Sequence, residues 1–210
     1  MFTGLLIAIL IVAGAATAVA AGVVVAQRKR HQLSGSSQLA LPGGSGDKLL
    51  ERTIRDLRTG DILTFEGKDF LVEGVISYDE DGHRWSAGRI VDGNDKRWMV
   101  VGMERGGSLI VRVAQVIDLE IEGYPPEALH VGEDRFVQDK KGTATARCSG
   151  DTGMGGTGNA GGMDTVMRCR WWLYDRPGDD TLIVEQWSDE FRVLRGKKVN
   201  PALIDLMPGS

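Results

Sequence analysis

The chain has 210 residues, with 25 basic and 29 acidic side chains, a formal charge of −4, 42% apolar residues and two cysteines. That length holds one ordinary domain besides any non-globular segment. The apolar fraction excludes a disordered chain, and two cysteines exclude a disulfide framework. The acidic balance lacks the electrostatic footprint of a nucleic-acid binder.

Charge is unevenly spread, because residues 1–26 carry no charged side chain. Phe2 to Ala26 is an apolar run of 25 residues. As a helix it spans roughly 37 Å at 1.5 Å per residue, enough to cross a hydrocarbon layer of about 30 Å. Arg28, Lys29 and Arg30 follow at once and nothing basic precedes. The expectation is a retained transmembrane helix over residues 1–27, its N-terminus outside and the rest of the chain cytoplasmic at the inner membrane, with the basic cluster at the lipid surface. Ala18-Val19-Ala20 offers a cleavage site for the competing reading, a signal peptide. A signal needs a positive front and a shorter apolar stretch, which this run lacks. Gly14, Ala18 and Gly22 share one helical face, a small-residue stripe suited to a homodimer contact.

Residues 28–48 read as a basic stop followed by a flexible Ser/Gly-rich linker. Residues 1–48 hold four basic side chains and one acidic, a balance of +3. Residues 49–210 therefore keep 21 basic and 28 acidic, or −7. A domain of that sign is repelled by phosphate backbones and by anionic lipid.

The domain over 49–210 reads as mainly β. Leu49 to Leu57 suggests a short helix with Leu50, Ile54 and Leu57 on one face. Strands are then expected at Ile62–Phe65, Phe70–Ser77, Arg84–Val91, Arg97–Met103, Leu109–Val113 and Val116–Glu122. In the last of these Ile117, Leu119 and Ile121 alternate with acidic residues. Further strands are expected at Thr143–Cys148, Thr165–Tyr174, Leu182–Trp187 and Phe191–Leu194, with Ala202–Met207 as a closing helical turn. About ten short strands at this spacing mean an antiparallel sandwich or barrel.

The stretch Gly150–Gly162 contains the spelling Gly156-x-Gly158-x-x-Gly161. A dinucleotide site needs a buried strand before it and a helix after it, and Met163–Arg170 reads as strand, so a hairpin loop is expected and no cofactor. If the flanking strands pair symmetrically about Gly156, Cys148 faces Asp164 and Cys169 faces Thr143, which leaves both thiols free. The histidines His31, His83 and His130 stand apart, and the acidic triplet beside His83 lacks calcium-loop spacing, so no metal is expected. No catalytic motif is legible. Trp171 and Trp172 are adjacent on a strand and point to opposite faces, so one is expected at the surface beside Arg170, where it would anchor a partner.

Leu57-Arg-Thr-Gly-Asp61-Ile-Leu, Phe70-Leu-Val-Glu-Gly74, Arg84-Trp85, Arg97-Trp98 and Val184-Glu-Gln-Trp187 resemble the bacterial domain-of-unknown-function family 4178 over most of 53–208. The resemblance implies a β-rich domain, common in membrane-associated proteins and found in some genomes beside envelope-stress components or polyamine-synthesis genes. It carries no catalytic residues. The sequence departs from that pattern at Ser86-Ala87-Gly88, where an aromatic is usual. The expected function is a membrane-anchored cytoplasmic β-domain acting as a protein-interaction or scaffold module. The alternative is a β-barrel that binds a cationic small molecule such as a polyamine, or acts on one.

Overall fold

The computed structural model describes residues 53–153 and 166–209. The expected anchor and its stripe of small residues, the basic cluster, the linker and most of the glycine loop lie outside them. No helix among the described residues is long and apolar enough to cross a membrane.

Eleven strands form one antiparallel sheet: β1 Ile62–Phe65, β2 Lys68–Glu80, β3 His83–Asp92, β4 Asp95–Val101, β5 Val111–Ile117, β6 Ala128–Val131, β7 Asp134–Gly150, β8 Val166–Asp175, β9 Asp180–Trp187, β10 Glu190–Val199 and β11 Asp205–Met207. Their order is β11-β1-β2-β3-β4-β5-β10-β9-β8-β7-β6, and a further β2–β7 ladder closes the eight strands from β2 to β7 into a ring. Of the two architectures expected, the sheet is therefore a barrel. Closure follows from two long strands that each serve two neighbours along one edge. β2 gives residues 68–71 to β1 and 74–79 to β7, changing partner at a bulge between Val72 and Gly74. β7 likewise serves β6 with residues 134–137 and β2 with 145–150. The hairpin turns carry the backbone that tight antiparallel turns demand, as at Glu66-Gly67 (φ 53° and 72°) and Asp81-Gly82 (φ 52° and 84°).

Period-2 alternation builds a core on each side of the barrel wall. Inward residues from all eight ring strands form the first, including Ile76, Trp85, Trp98, Ala114, Ala146, Trp171, Ile183 and Leu194. Eight strands leave an interior that side chains can fill, and here large rings do so. Outward Phe70, Val72, Ile90, Met99 and Val113 make a second core beneath β1, with Leu57 and Ile204. Outward Trp172, Tyr174, Val184 and Val193 make a third with Leu129 and Phe136.

Several expectations need correction. The segment read as strand Val116–Glu122 is strand only to Ile117. Ile117, Leu119 and Ile121 do pack against the third core on the outside of the wall, but beyond Ile117 as an irregular segment without a ladder. The described part of Leu49–Leu57 is a 3-10 turn at Ile54–Asp56, because Leu57 leaves the turn to pack in the second core. The closing turn is 3-10 at Pro201–Leu203 and then becomes β11, which pairs with β1. Thr143 faces Arg170 and Ala144 faces Cys169, so β7 and β8 are paired one residue away from the symmetric register. Both cysteines are free.

Candidate functional site

Two places on the barrel concentrate polar groups, and they differ in kind. The first is the interior. Glu185 on β9 and Arg192 on β10 are opposite residues in the ladder and both point inward, with side-chain exposures of 4% and 10%. Arg192 donates to Glu185 through Nε at 2.9 Å and through a terminal nitrogen as well. The Tyr78 hydroxyl donates to Glu185 at 2.7 Å and the Trp187 indole donates at 3.2 Å. Burial first, then the Glu185 charge, push the Tyr78 hydroxyl well above its ordinary pKa, so it stays a donor. The guanidinium lies 4.1 Å from the Trp98 ring centroid and 5.8 Å from that of Trp187, while Tyr78 stacks on Trp85 at 4.9 Å. This is an aromatic cage with a carboxylate, the furniture of a cation site, and its cation is the chain's own arginine.

A second buried charge stands at the other end of the interior. Arg112 is fully buried and bonds Glu104, which also accepts from Lys140 at 2.8 Å. Burial works to raise the Glu104 pKa and is the largest single influence. Hydrogen bonds from Lys140 and Arg112 and their charges outweigh it, and the carboxyl is lowered to about 2. The Glu185–Arg192 pair joins β9 to β10, and Glu104 ties the β4–β5 connection to Arg112 on β5 and Lys140 on β7. Neither leaves a carboxylate free for acid–base work.

The second place is on the outside. A groove of about 1220 Å³ runs across the outer faces of β3, β2, β7 and β8. The ladders set its floor in rows. One row reads Ser86, Ser77, Arg147, Val166, the next Arg84, Asp79, Thr145, Arg168, and a third begins at Thr143 and Arg170. Hydroxyls, guanidiniums and the Asp79 carboxylate therefore share this face across four strands, on a domain whose overall balance is −7. Of the three carboxylates lining it, Asp79, Glu80 and Asp81, the first two are engaged within the protein. Asp79 accepts from Arg84 at 2.9 Å and from the Gly82 amide at 2.9 Å, and the Arg84 bond chiefly lowers its pKa. Glu80 accepts from the Thr143 amide at 2.9 Å and lies 3.6 Å from Arg105. Arg168 and Arg170 are exposed, with no carboxylate within ion-pair distance among the described residues. Ser86 is 8% exposed, and its hydroxyl has no hydrogen-bond partner among the described residues.

The three partner-contact residues expected from sequence separate here. Trp171 and Trp172 do point to opposite faces, but both are buried, at 5% and 2% exposure. The reason is that the wall has a core on each side. Trp171 packs inside, edge-on to Trp85 at 5.7 Å, and Trp172 packs outside against Tyr124 at 5.4 Å and Phe191 at 6.4 Å. Neither tryptophan is available as a surface anchor. Arg170 is exposed on β8 opposite Thr143, one of the residues that line the groove, but does not itself line it. Sequence reasoning missed Ser77, Arg84, Ser86, Thr145, Arg147 and Arg168. Thr143, Thr145 and Arg147 do alternate with Ala144, Ala146 and Cys148, a visible two-residue period, but only the register sets them beside Arg168 and Arg170.

The remaining candidates stay dispersed. His83 faces the Met103 carbonyl at 3.1 Å, and His130 lies on β6. Among the described residues, no three His, Cys, Asp or Glu side chains converge as metal ligands. Cys169 is buried, and its thiol is pushed far up by that burial.

These features define an antiparallel barrel with a packed interior, whose open surface feature is an external groove. The chain belongs to the family described as Domain of unknown function (DUF4178), matching it over residues 58–201, which takes in β1 through β10. No curated protein and no solved structure matches the chain.

Proposed function

We propose that the protein is a binding module tethered to the membrane by residues 2–26, whose barrel presents its external groove to a segment of another protein. The carrying observation is the groove itself. At about 1220 Å³ it exceeds the 300–1,000 Å³ usual for small-molecule sites, and it is open along four strands. What supports a binding rather than a catalytic role is that the buried carboxylates Glu185 and Glu104 are each neutralised by arginine. A retained anchor would hold the module in a thin layer and raise its effective concentration toward membrane-associated partners. In this reading the N-terminus lies outside, the barrel lies in the cytoplasm, and Gly14, Ala18 and Gly22 give the anchor a dimer face.

Site-specific photo-crosslinking in intact cells tests it. A photoreactive residue at Thr145 in the groove should give discrete protein adducts, and one at Leu203, exposed on the 3-10 turn before β11, should not. Adducts that are equal at both positions, or absent at Thr145, overturn the proposal. Alkaline extraction of membranes should leave the full chain in the pellet, and recovery in the supernatant would remove the tether.

A further inference from the structure

We infer that the outer wall beside the groove carries a binding site for a phosphate group, formed by Lys141 and Thr143 on β7, Arg170 on β8 and the phenol of Tyr124. Three observations converge on it. The first is placement. Lys141 stands opposite Trp172 and Thr143 opposite Arg170, so these four are the corners of one cell of the β7–β8 ladder and share its outward face. Opposite residues in such a cell are about 5 Å apart, and residues two apart along a strand about 6.8 Å. Side chains rooted that closely can meet on one small group. Tyr124, in the segment between β5 and β6, is 61% exposed. It lies edge-on to Trp172 at 5.4 Å, and the Lys141 ammonium is 5.4 Å from its ring centroid.

The second is a local excess of positive charge. Lys141 and Arg170 are exposed, with no carboxylate, Glu122 included, within ion-pair distance among the described residues. No outward residue of β7 from Lys141 to Arg147, or of β8 from Val166 to Trp172, is acidic, on a domain with 28 acidic and 21 basic side chains. Glu80, which accepts the Thr143 amide at 2.9 Å, lies 3.6 Å from Arg105, and Gln186, opposite Arg170 on β9, is neutral. Positive charge gathered against the domain's own balance focuses the field on an anion.

The third is the Trp172 indole. It is 2% exposed, and its buried N–H closes no full hydrogen bond among the described residues. It bears on the Tyr124 hydroxyl, as Lys141 does. Those two donors, and then the Lys141 and Arg170 charges, lower the pKa of the phenol. One phenol oxygen therefore faces several donors, and the cell's own side chains offer hydroxyls as their only acceptors. A tetrahedral oxyanion supplies acceptor oxygens in several directions. The Lys141 ammonium, the Arg170 fork and the Thr143 and Tyr124 hydroxyls reach them from different sides. Lys141 then turns from the phenol to the anion and leaves the phenol oxygen to the indole N–H. A carboxylate, with two oxygens in one plane, uses fewer of these donors. Phosphate on a lipid headgroup and phosphate on a soluble ester present the same chemistry to the cell.

The test is calorimetric titration of the full chain, in phosphatidylcholine nanodiscs, with inorganic phosphate against chloride at equal ionic strength. Phosphate should bind, and Lys141→Gln and Arg170→Gln should each weaken it about tenfold, as loss of a charge-assisted hydrogen bond implies. Lys197→Gln, on β10 away from the cell, should leave it unchanged, and all variants should melt within a few degrees of the parent. The phenol gives a second readout. Burial raises the pKa of Tyr78 and Tyr174, the chain's other tyrosines, so Tyr124 ionises first in an alkaline titration followed by ultraviolet absorbance. Saturating phosphate should raise that first midpoint by at least about 0.3, because a bound anion opposes the phenolate. Absence of phosphate binding, insensitivity to both substitutions, an unmoved phenol midpoint, or tighter binding of acetate or of a short single-stranded oligonucleotide overturns the inference. Lipid composition separates the two sources. A headgroup that fills the cell abolishes phosphate binding in nanodiscs containing phosphatidic acid and spares it in those containing oleate at matched charge. A soluble ester as the source leaves binding intact in both, and either result keeps the site. Crosslinking at Thr145 and phosphate binding succeed or fail separately, so the groove reading does not stand or fall with this one.

Discussion

Replacing Arg192 by methionine removes the guanidinium that Glu185 bonds and leaves its carboxylate 4% exposed with Tyr78 and Trp187 as donors. Breaking a buried pair by deleting one partner costs about 3–5 kcal/mol, because the surviving charge is left uncompensated. For a domain of this size that lowers the melting temperature by roughly 6–20 °C. Glu185→Leu should cost a similar amount, since it strands the guanidinium and the Tyr78 hydroxyl together. The double replacement removes both charges at once, and the apolar pair fills similar volume. It leaves two donors unsatisfied, at about 1–3 kcal/mol each, against the desolvation that is no longer required. The two single costs should therefore fail to add by more than about 1.5 kcal/mol in a double-mutant cycle. Urea unfolding of the full chain in detergent, followed by tryptophan fluorescence, reads all four species. Additive costs, or an Arg192→Met penalty under about 1 kcal/mol, would refute the claim that the pair holds the interior together.

Other outcomes follow from the same geometry. Glu104 has a folded pKa of about 2 against an ordinary 4.5, so it stabilises the fold fully above pH 4.5 and loses that contribution as pH falls toward 2. Acid unfolding of Glu104→Gln should show a shallower dependence in that window, and an unchanged slope contradicts the assignment. Gly196→Ala drives a Cβ into the backbone of Val113 and Ala114 on the adjacent strand. It should cost about 1–3 kcal/mol by thermal melt, while a neutral effect would mean that the ring is looser than described. Trp172→Ala opens the outer core and should cost about 3–5 kcal/mol, so that loss of partner capture in this variant tracks loss of fold. A stable Trp172→Ala variant that had lost capture would instead restore the tryptophan as a contact. Cys169 should resist a thiol reagent until the chain unfolds, whereas rapid native labelling would show an open interior.

The β class was legible because turn chemistry brackets the strands, as at Glu66-Gly67 and Asp81-Gly82, and β1 falls on the expected Ile62–Phe65. The closure was not, since nothing local marks β2 and β7 as partners when the paired residues, from Asp79 with Thr145 to Gly74 with Gly150, lie so far apart in the chain. Tertiary context also overrode the alternation that Ile117 begins, since Leu119 and Ile121 pack without a ladder. The two tryptophans show the limit most clearly. Opposite faces followed from period 2, but exposure depends on what covers each face, and the covering elements are distant in sequence. The groove failed to appear for the same reason, because its arginines lie on separate strands and only the register gathers them.

Amide hydrogen exchange on the full chain, with and without the partner captured by crosslinking at Thr145, tests the central claim most directly. The account predicts added protection confined to residues 77–86, 141–149 and 166–170, with exchange along β9 and β10 unchanged. Protection centred on Glu185 and Arg192, or none at the groove strands, would contradict it.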